Sequence, residues 1–174
     1  KQGIVSANSV TTVSPTYARE IQESATGEGL HGVLSSLSRP LVGITNGVDY
    51  AVWNPATDST IAARYDAENF EAKARCVGAL QRELSLPLDI DRKTIAFVGR
   101  LVPQKGIEEL CAVLPDLLTQ TDANFVIAGD GPLAPLVKEA LRLGAGRVAF
   151  AQAAEESLVH RIFAGSHLVL VPSR

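Results

Sequence analysis

The feature that most constrains this chain is the regular alternation of apolar patterns running from residue 94 to residue 174. Thr94-Ile95-Ala96-Phe97-Val98 is a short apolar run stopped by Gly99, as in a strand buried on both faces. Ile107, Leu110, Cys111, Leu114, Leu117 and Leu118 follow at helical spacing, and Pro115 is expected to kink that helix or end it early. Residues 124–128 read as a second strand, closed by Gly129-Asp130-Gly131, and Leu133, Leu136, Val137, Ala140 and Leu141 as a second helix. Residues 147–150 form a third strand. Leu158, Val159, Ile162 and Phe163 form a third helix, with Glu155 and Glu156 placed to favour its N-terminus, and residues 167–171 a fourth strand before Pro172. Strands joined through helices by short connections are parallel crossovers, so the class is α/β with a doubly wound parallel sheet. In such sheets ligands bind at the carboxyl ends of the strands.

The preceding residues lack that rhythm. Residues 9–13 read as a short strand, and Ser14-Pro15 as the N-cap and first-turn proline of a helix. Residues 24–40, rich in Ser and Gly, read as loop, and residues 41–44 as another strand leading to Asn46-Gly47. Residues 49–66 are polar and turn-rich, and Phe70, Ala74, Val77, Leu80 and Leu84 mark a helix with Pro87 beyond its end. The expected division is 1–45 as the end of one domain, 46–93 as a connector with its own helix, and 94–174 as the first half of the alternating domain.

Composition removes several functions. The net charge of -3 and the scattered basic residues leave no footprint for nucleic acid or an anionic membrane surface. No apolar run reaches the roughly 20 residues of a membrane span. Cys76 and Cys111 each fall in an apolar helical pattern and read as small buried hydrophobes, not a disulfide or metal site. The chain contains no methionine, as expected of a piece of a longer protein.

Chemistry is expected first in the loop Gly99-Arg100-Leu101-Val102-Pro103-Gln104-Lys105-Gly106. A strand-to-helix turn presents backbone N–H groups and a helix N-terminus, and two added cations make a place for a diphosphate. Spacing alone fits two solvated loop cations as well. Gly129-Asp130-Gly131 allows close backbone approach to a ligand, or serves as an ordinary connection. Asn46, Gly47 and Asp49 form a turn, either plain or a hinge. Trp53 reads as core, and His160 as a surface or helix-end residue; His31 and His167 have no partner in the local sequence. No Ser-His-Asp set, metal-ligand spacing or carboxylate pair emerges.

Taken in order, these segments resemble the bacterial glycogen synthase and plant or algal starch synthase family. Thr11-Thr12-Val13-Ser14-Pro15-Thr16-Tyr17-Ala18-Arg19-Glu20-Ile21 is similar to the motif near the end of that family's N-terminal domain. Asn46-Gly47-Val48-Asp49 with Trp53-Asn54-Pro55 resembles its interdomain segment, and Gly99-Arg100-Leu101 with Gln104-Lys105-Gly106 its donor-phosphate loop. His160-Arg161-Ile162, Ala164-Gly165 and Leu170-Val171-Pro172-Ser173-Arg174 resemble the stretch before its catalytic loop.

The resemblance implies the GT-B fold, two Rossmann-like domains across a cleft. Residues 1–45 would end the N-terminal, acceptor-side domain and 94–174 would begin the nucleotide-sugar domain. It implies transfer of glucose from ADP-glucose to the non-reducing end of an α-1,4-glucan, with retention and without a metal or other cofactor. Arg100 and Lys105 would hold the donor diphosphate; Asn46, Gly47 and Asp49 would lie at the hinge; Gly99, Gly129, Asp130, Gly131 and Ala154 would lie near the nucleotide. Ala154 stands where the family carries an aromatic near the donor base. The glutamate that acts on the donor sugar is expected beyond Arg174, so no catalytic residue is assigned within the chain, which alone is expected to be inactive. The compartment implied is the bacterial cytoplasm, or the plastid stroma of a plant or alga. A retaining GT-B enzyme with a UDP- or GDP-sugar donor is an alternative, since residues 128–133 resemble that broader group. A non-catalytic α/β binding domain is another.

Overall fold

A computed structural model describes residues 1–144 and 146–173. Arg174, the last residue of the family resemblance, lies outside them. The chain forms two compact units, Lys1–Asp49 and Tyr50–Arg174.

The first unit holds α1 (Gln2–Ser6), β1 (Thr11–Val13), α2 (Pro15–Glu20), α3 (His31–Ser35) and β2 (Val42–Ile44). β1 and β2 pair in parallel, Thr11 opposite Val42. The expected cap is present: the Ser14 hydroxyl accepts from the N–H groups of Thr16 and Tyr17, with Pro15 in the first turn. α3 falls in a stretch expected to be loop. It is a five-residue helix with only Leu34 buried, too short for a periodic signature.

The second unit begins with turns over residues 50–69. A 3-10 turn, Phe70–Ala72, then leads into α4 (Lys73–Glu83). β3 (Thr94–Val98), α5 (Ile107–Gln120), β4 (Asn124–Gly129), α6 (Ala134–Leu143), β5 (Val148–Gln152), α7 (Glu156–Gly165) and β6 (Leu168–Val169) follow in the expected alternation. All pairings are parallel, in the order β5-β4-β3-β6. Successive strands step outward from β3, and β6 crosses back to its other side, a topological switch at β3 and β6.

Alternate residues along each strand feed opposite layers. Phe97, Phe125 and Ile127 pack with Ile107, Leu114 and Val137 of α5 and α6. Ala96, Val126 and Ala128 pack with Leu80 of α4 and Ile162 of α7. The sheet is therefore sandwiched between two helical layers, and Cys76 and Cys111 are both buried and free.

Pro115 neither ends nor interrupts α5, which runs through it to Gln120. Proline denies the Cys111 carbonyl its helical donor, but Leu114 and Leu118 on the buried face hold the helix against the sheet. β6 is shorter than the apolar run suggested, and both its residues are exposed.

Candidate functional site

The loops after β3 and β4 are joined backbone to backbone at the carboxyl edge of the sheet. The N–H of Gly99 donates to Ala128 O at 3.0 Å, that of Leu101 to Asp130 O at 2.8 Å, and that of Leu133 to Leu101 O at 3.1 Å. Leu101 is fully buried and anchors the first loop from below. This close approach requires glycine. Gly129 and Gly131 both have φ near +151°; a Cβ on the first would sit 1.8 Å from Gly99 O, and on the second 2.5 Å from Leu101 O.

The loop then makes a 3-10 turn, Pro103–Lys105, and enters α5 through Gly106 at φ +70°. A Cβ on Gly106 would stand 2.1 Å from the carbonyl oxygen of Pro172, so the segments after β3 and β6 meet at the switch point. Arg100 is exposed and Lys105 half-buried. Among the described residues neither forms an ion pair, so both charges face solvent or a ligand.

Beside these loops lies a cleft of about 320 Å³, lined by Val98, Gly99, Arg100, Ala128, Gly129, Asp130, Ala153, Ala154 and Val159. That volume lies at the small end of ligand pockets, roughly 300–1,000 Å³. The cleft brings together Gly99, Arg100, Gly129, Asp130 and Ala154 of the sequence-derived set. Gly131 and Lys105 belong to the adjoining turns and do not line it. Asn46, Gly47 and Asp49 are exposed at the end of the first unit.

Ala153 and Val159 are lining residues that sequence reasoning missed. Ala153 takes φ +51°, with its N–H donating to Gly129 O at 3.2 Å, a turn that nothing in an alanine announces. Gln152, at the end of β5, donates from Nε2 to the Asp130 carboxylate at 3.0 Å. That bond and the Gly131 N–H, with a lesser pull from Lys138, hold the Asp130 carboxyl below its ordinary value against the opposing effect of burial.

A second constellation lies away from the cleft. His160 is only 8% exposed, not the surface residue that sequence suggested. Its Nδ1 lies 2.6 Å from Asp58 Oδ2. The other carboxylate oxygen, Oδ1, accepts from the Thr60 N–H and hydroxyl, both at 2.7 Å. Burial raises the Asp58 pKa, but the Thr60 bonds and then His160 outweigh it and hold the carboxyl below 3.8. An ionised carboxylate only accepts, so His160 Nδ1 is the donor in this pair. Trp53 stacks on the His160 ring with centroids 3.9 Å apart and planes 18° from parallel, and Phe163 meets Trp53 edge-on at 5.8 Å. The pair spans 102 positions of sequence, beyond any local motif. His167 also finds a partner: its Nδ1 accepts from the Thr94 N–H at 3.0 Å.

Residues 92–174 match the family model Glycosyl transferases group 1, and residues 1–36 match Starch synthase catalytic domain. With the cleft at the carboxyl edge of the parallel sheet, these matches give the chain the fold class of GT-B glycosyltransferases. The chain is 45% identical over its whole length to the glycogen synthase of Anaeromyxobacter sp. (strain Fw109-5), and 42% to that of Yersinia pestis (strain Pestoides F). A solved structure, the catalytic domain of starch synthase IV from Arabidopsis thaliana bound to ADP and acarbose, superposes with a TM-score of 0.86 at 33% identity, covering 98% of this chain and 36% of that one. Along its whole length the chain is similar to members of the glycogen and starch synthase family, and it spans 37% of the length of those two glycogen synthases. No helix among the described residues is long and apolar enough to cross a membrane.

Proposed function

We propose that the full-length protein carrying this chain transfers glucose from ADP-glucose to the non-reducing end of an α-1,4-glucan, retaining anomeric configuration. The observation that carries the reading is the likeness, over almost the whole chain, to a starch synthase bound to ADP and acarbose.

In this reading Arg100 and Lys105 hold the donor diphosphate, Arg100 through paired N–H donors and Lys105 as a mobile point charge. Gly99, Gly129, Asp130, Gly131 and Ala154 lie near the nucleotide. Negative charge grows on the diphosphate as its bond to the sugar breaks. The two cations therefore interact more strongly with the transition state than with the bound donor. They take the charge that a metal would take elsewhere, and the reaction is proposed to need none. Asn46, Gly47 and Asp49 are proposed as the hinge for a closure that excludes water and so favours transfer over hydrolysis. The same reading places the protein in the cytoplasm of a bacterium or the plastid stroma of a plant or alga.

The test is glucose incorporation into a glucan by the full-length protein with ADP-, UDP- and GDP-glucose in parallel. Incorporation from ADP-glucose supports the reading. Incorporation from only UDP- or GDP-glucose reassigns the donor, and none from any of the three overturns the reading.

A further inference from the structure

We propose that Asp58, His160 and Trp53 form a clamp that positions α7, and with it the wall of the nucleotide cleft. The inference rests on the proposed function for what the cleft binds. It concerns residues that do not touch the cleft.

Residues 50–69 contain no strand or helix; backbone bonds such as Tyr65 N–H to Pro55 O shape their turns, and side chains tie them to α7. Two tethers run from this region and the start of α4 to α7. Near the middle of α7, the Asp58 carboxylate is held by Thr60 and in turn holds His160, while Trp53 covers the imidazole face. At the C-terminal end of α7, Lys73 Nζ donates to the carbonyls of Phe163 and Ala164 at 3.2 and 2.7 Å, and its ammonium sits over the Tyr65 ring. The cleft meets a neighbouring face of the same helix: Val159, directly before His160, lines it, as do Ala153 and Ala154 in the turn leading into α7. Moving α7 changes the cleft.

Filling space would not need these residue types. The Asp58 and His160 side chains are 8% and 7% exposed, and burying a carboxylate against an imidazole gains little stability over apolar groups of similar size. What the pair adds is direction: one short hydrogen bond at a fixed angle, with the ring plane locked by Trp53. That is the property of a positioning device, and it makes Asp58, His160 and Trp53 positioning residues, not catalytic ones.

The experiment uses the full-length protein and reads donor KM, kcat and thermal midpoint. His160→Ala should raise the donor KM about tenfold while kcat changes less. The paired change Asp58→Leu with His160→Leu should restore the thermal midpoint but leave KM raised, because an apolar pair packs without direction. A KM within about twofold of wild type in either folded variant, or a KM that recovers together with the midpoint, overturns the clamp. Should neither variant fold, His160→Gln keeps a donor for Asp58 but removes the ring, and the same twofold limit decides. A wild-type protein with no transfer from any sugar nucleotide counts against the proposed function. The clamp is then judged by the same limits on the ADP dissociation constants of these variants.

Discussion

At the scale of single residues, the cleft depends on positions that carry no side chain. Gly129→Ala would drive a Cβ into the carbonyl of Gly99 in a backbone region that alanine avoids. We expect a loss of about 3 kcal/mol or more in chemical denaturation. Arg100→Ala with Lys105→Ala, by contrast, should leave the thermal midpoint nearly unchanged and weaken ADP binding to the full-length protein at least tenfold, since each charge-assisted bond contributes about 1.5–3 kcal/mol. Unchanged binding would favour a non-catalytic scaffold. Asp58 gives a pH test. A carboxyl held below its unfolded value contributes stability above that value and loses it as pH falls through the folded one. The stability advantage of wild type over Asp58→Asn should therefore be full above about pH 5 and shrink below about pH 4, measured by urea titration across that range. The Arg100–Lys105 loop was legible because its residues are contiguous and follow an apolar run. The Asp58–His160 pair was not, because its partners come from a turn-rich strap and a helix that meet only after folding.

At the scale of elements, apolar periodicity made β3, β4 and the helices between the strands readable, since burial on one face or two is what periodicity records. α1 buries no residue and α3 only Leu34, so neither leaves a pattern. Pro115 misled for a related reason. A proline argues against a helix locally, whereas the buried Leu114 and Leu118 argue for it through the sheet. Pro115→Ala should then return a donor to the Cys111 carbonyl and stabilise the protein by about 1–3 kcal/mol, read as a higher denaturation midpoint with an unchanged m-value.

At the scale of the whole molecule, the expected connector 46–93 has no independent unit of its own: the division falls between Asp49 and Tyr50, and α4 joins the layer that covers one face of the sheet. Sequence marked the turn-forming Asn46-Gly47 near that division. It could not show that the polar stretch beyond it is tied to α7 by buried groups. On the proposed function, ADP should stabilise the full-length protein by about 2.7 kcal/mol at a hundred times its dissociation constant. UDP and GDP at equal concentration should raise the melting temperature less. Equal shifts for all three would place recognition in the diphosphate alone.

The backbone zipper between the loops after β3 and β4 has a consequence for how such a cleft can change. Gly99, Leu101 and Asp130 are joined through main-chain atoms, whereas Gln152, at the end of β5, reaches Asp130 with its side chain and Ala154 lines the cleft from the turn that follows. Saturation mutagenesis should find the two classes far apart. Gly129 and Gly131 should accept almost no replacement, and positions 130, 152 and 154 many. The frame and the ligand preference are thus written at different addresses, and a new nucleotide could be accommodated by substitution at the second set without disturbing the first.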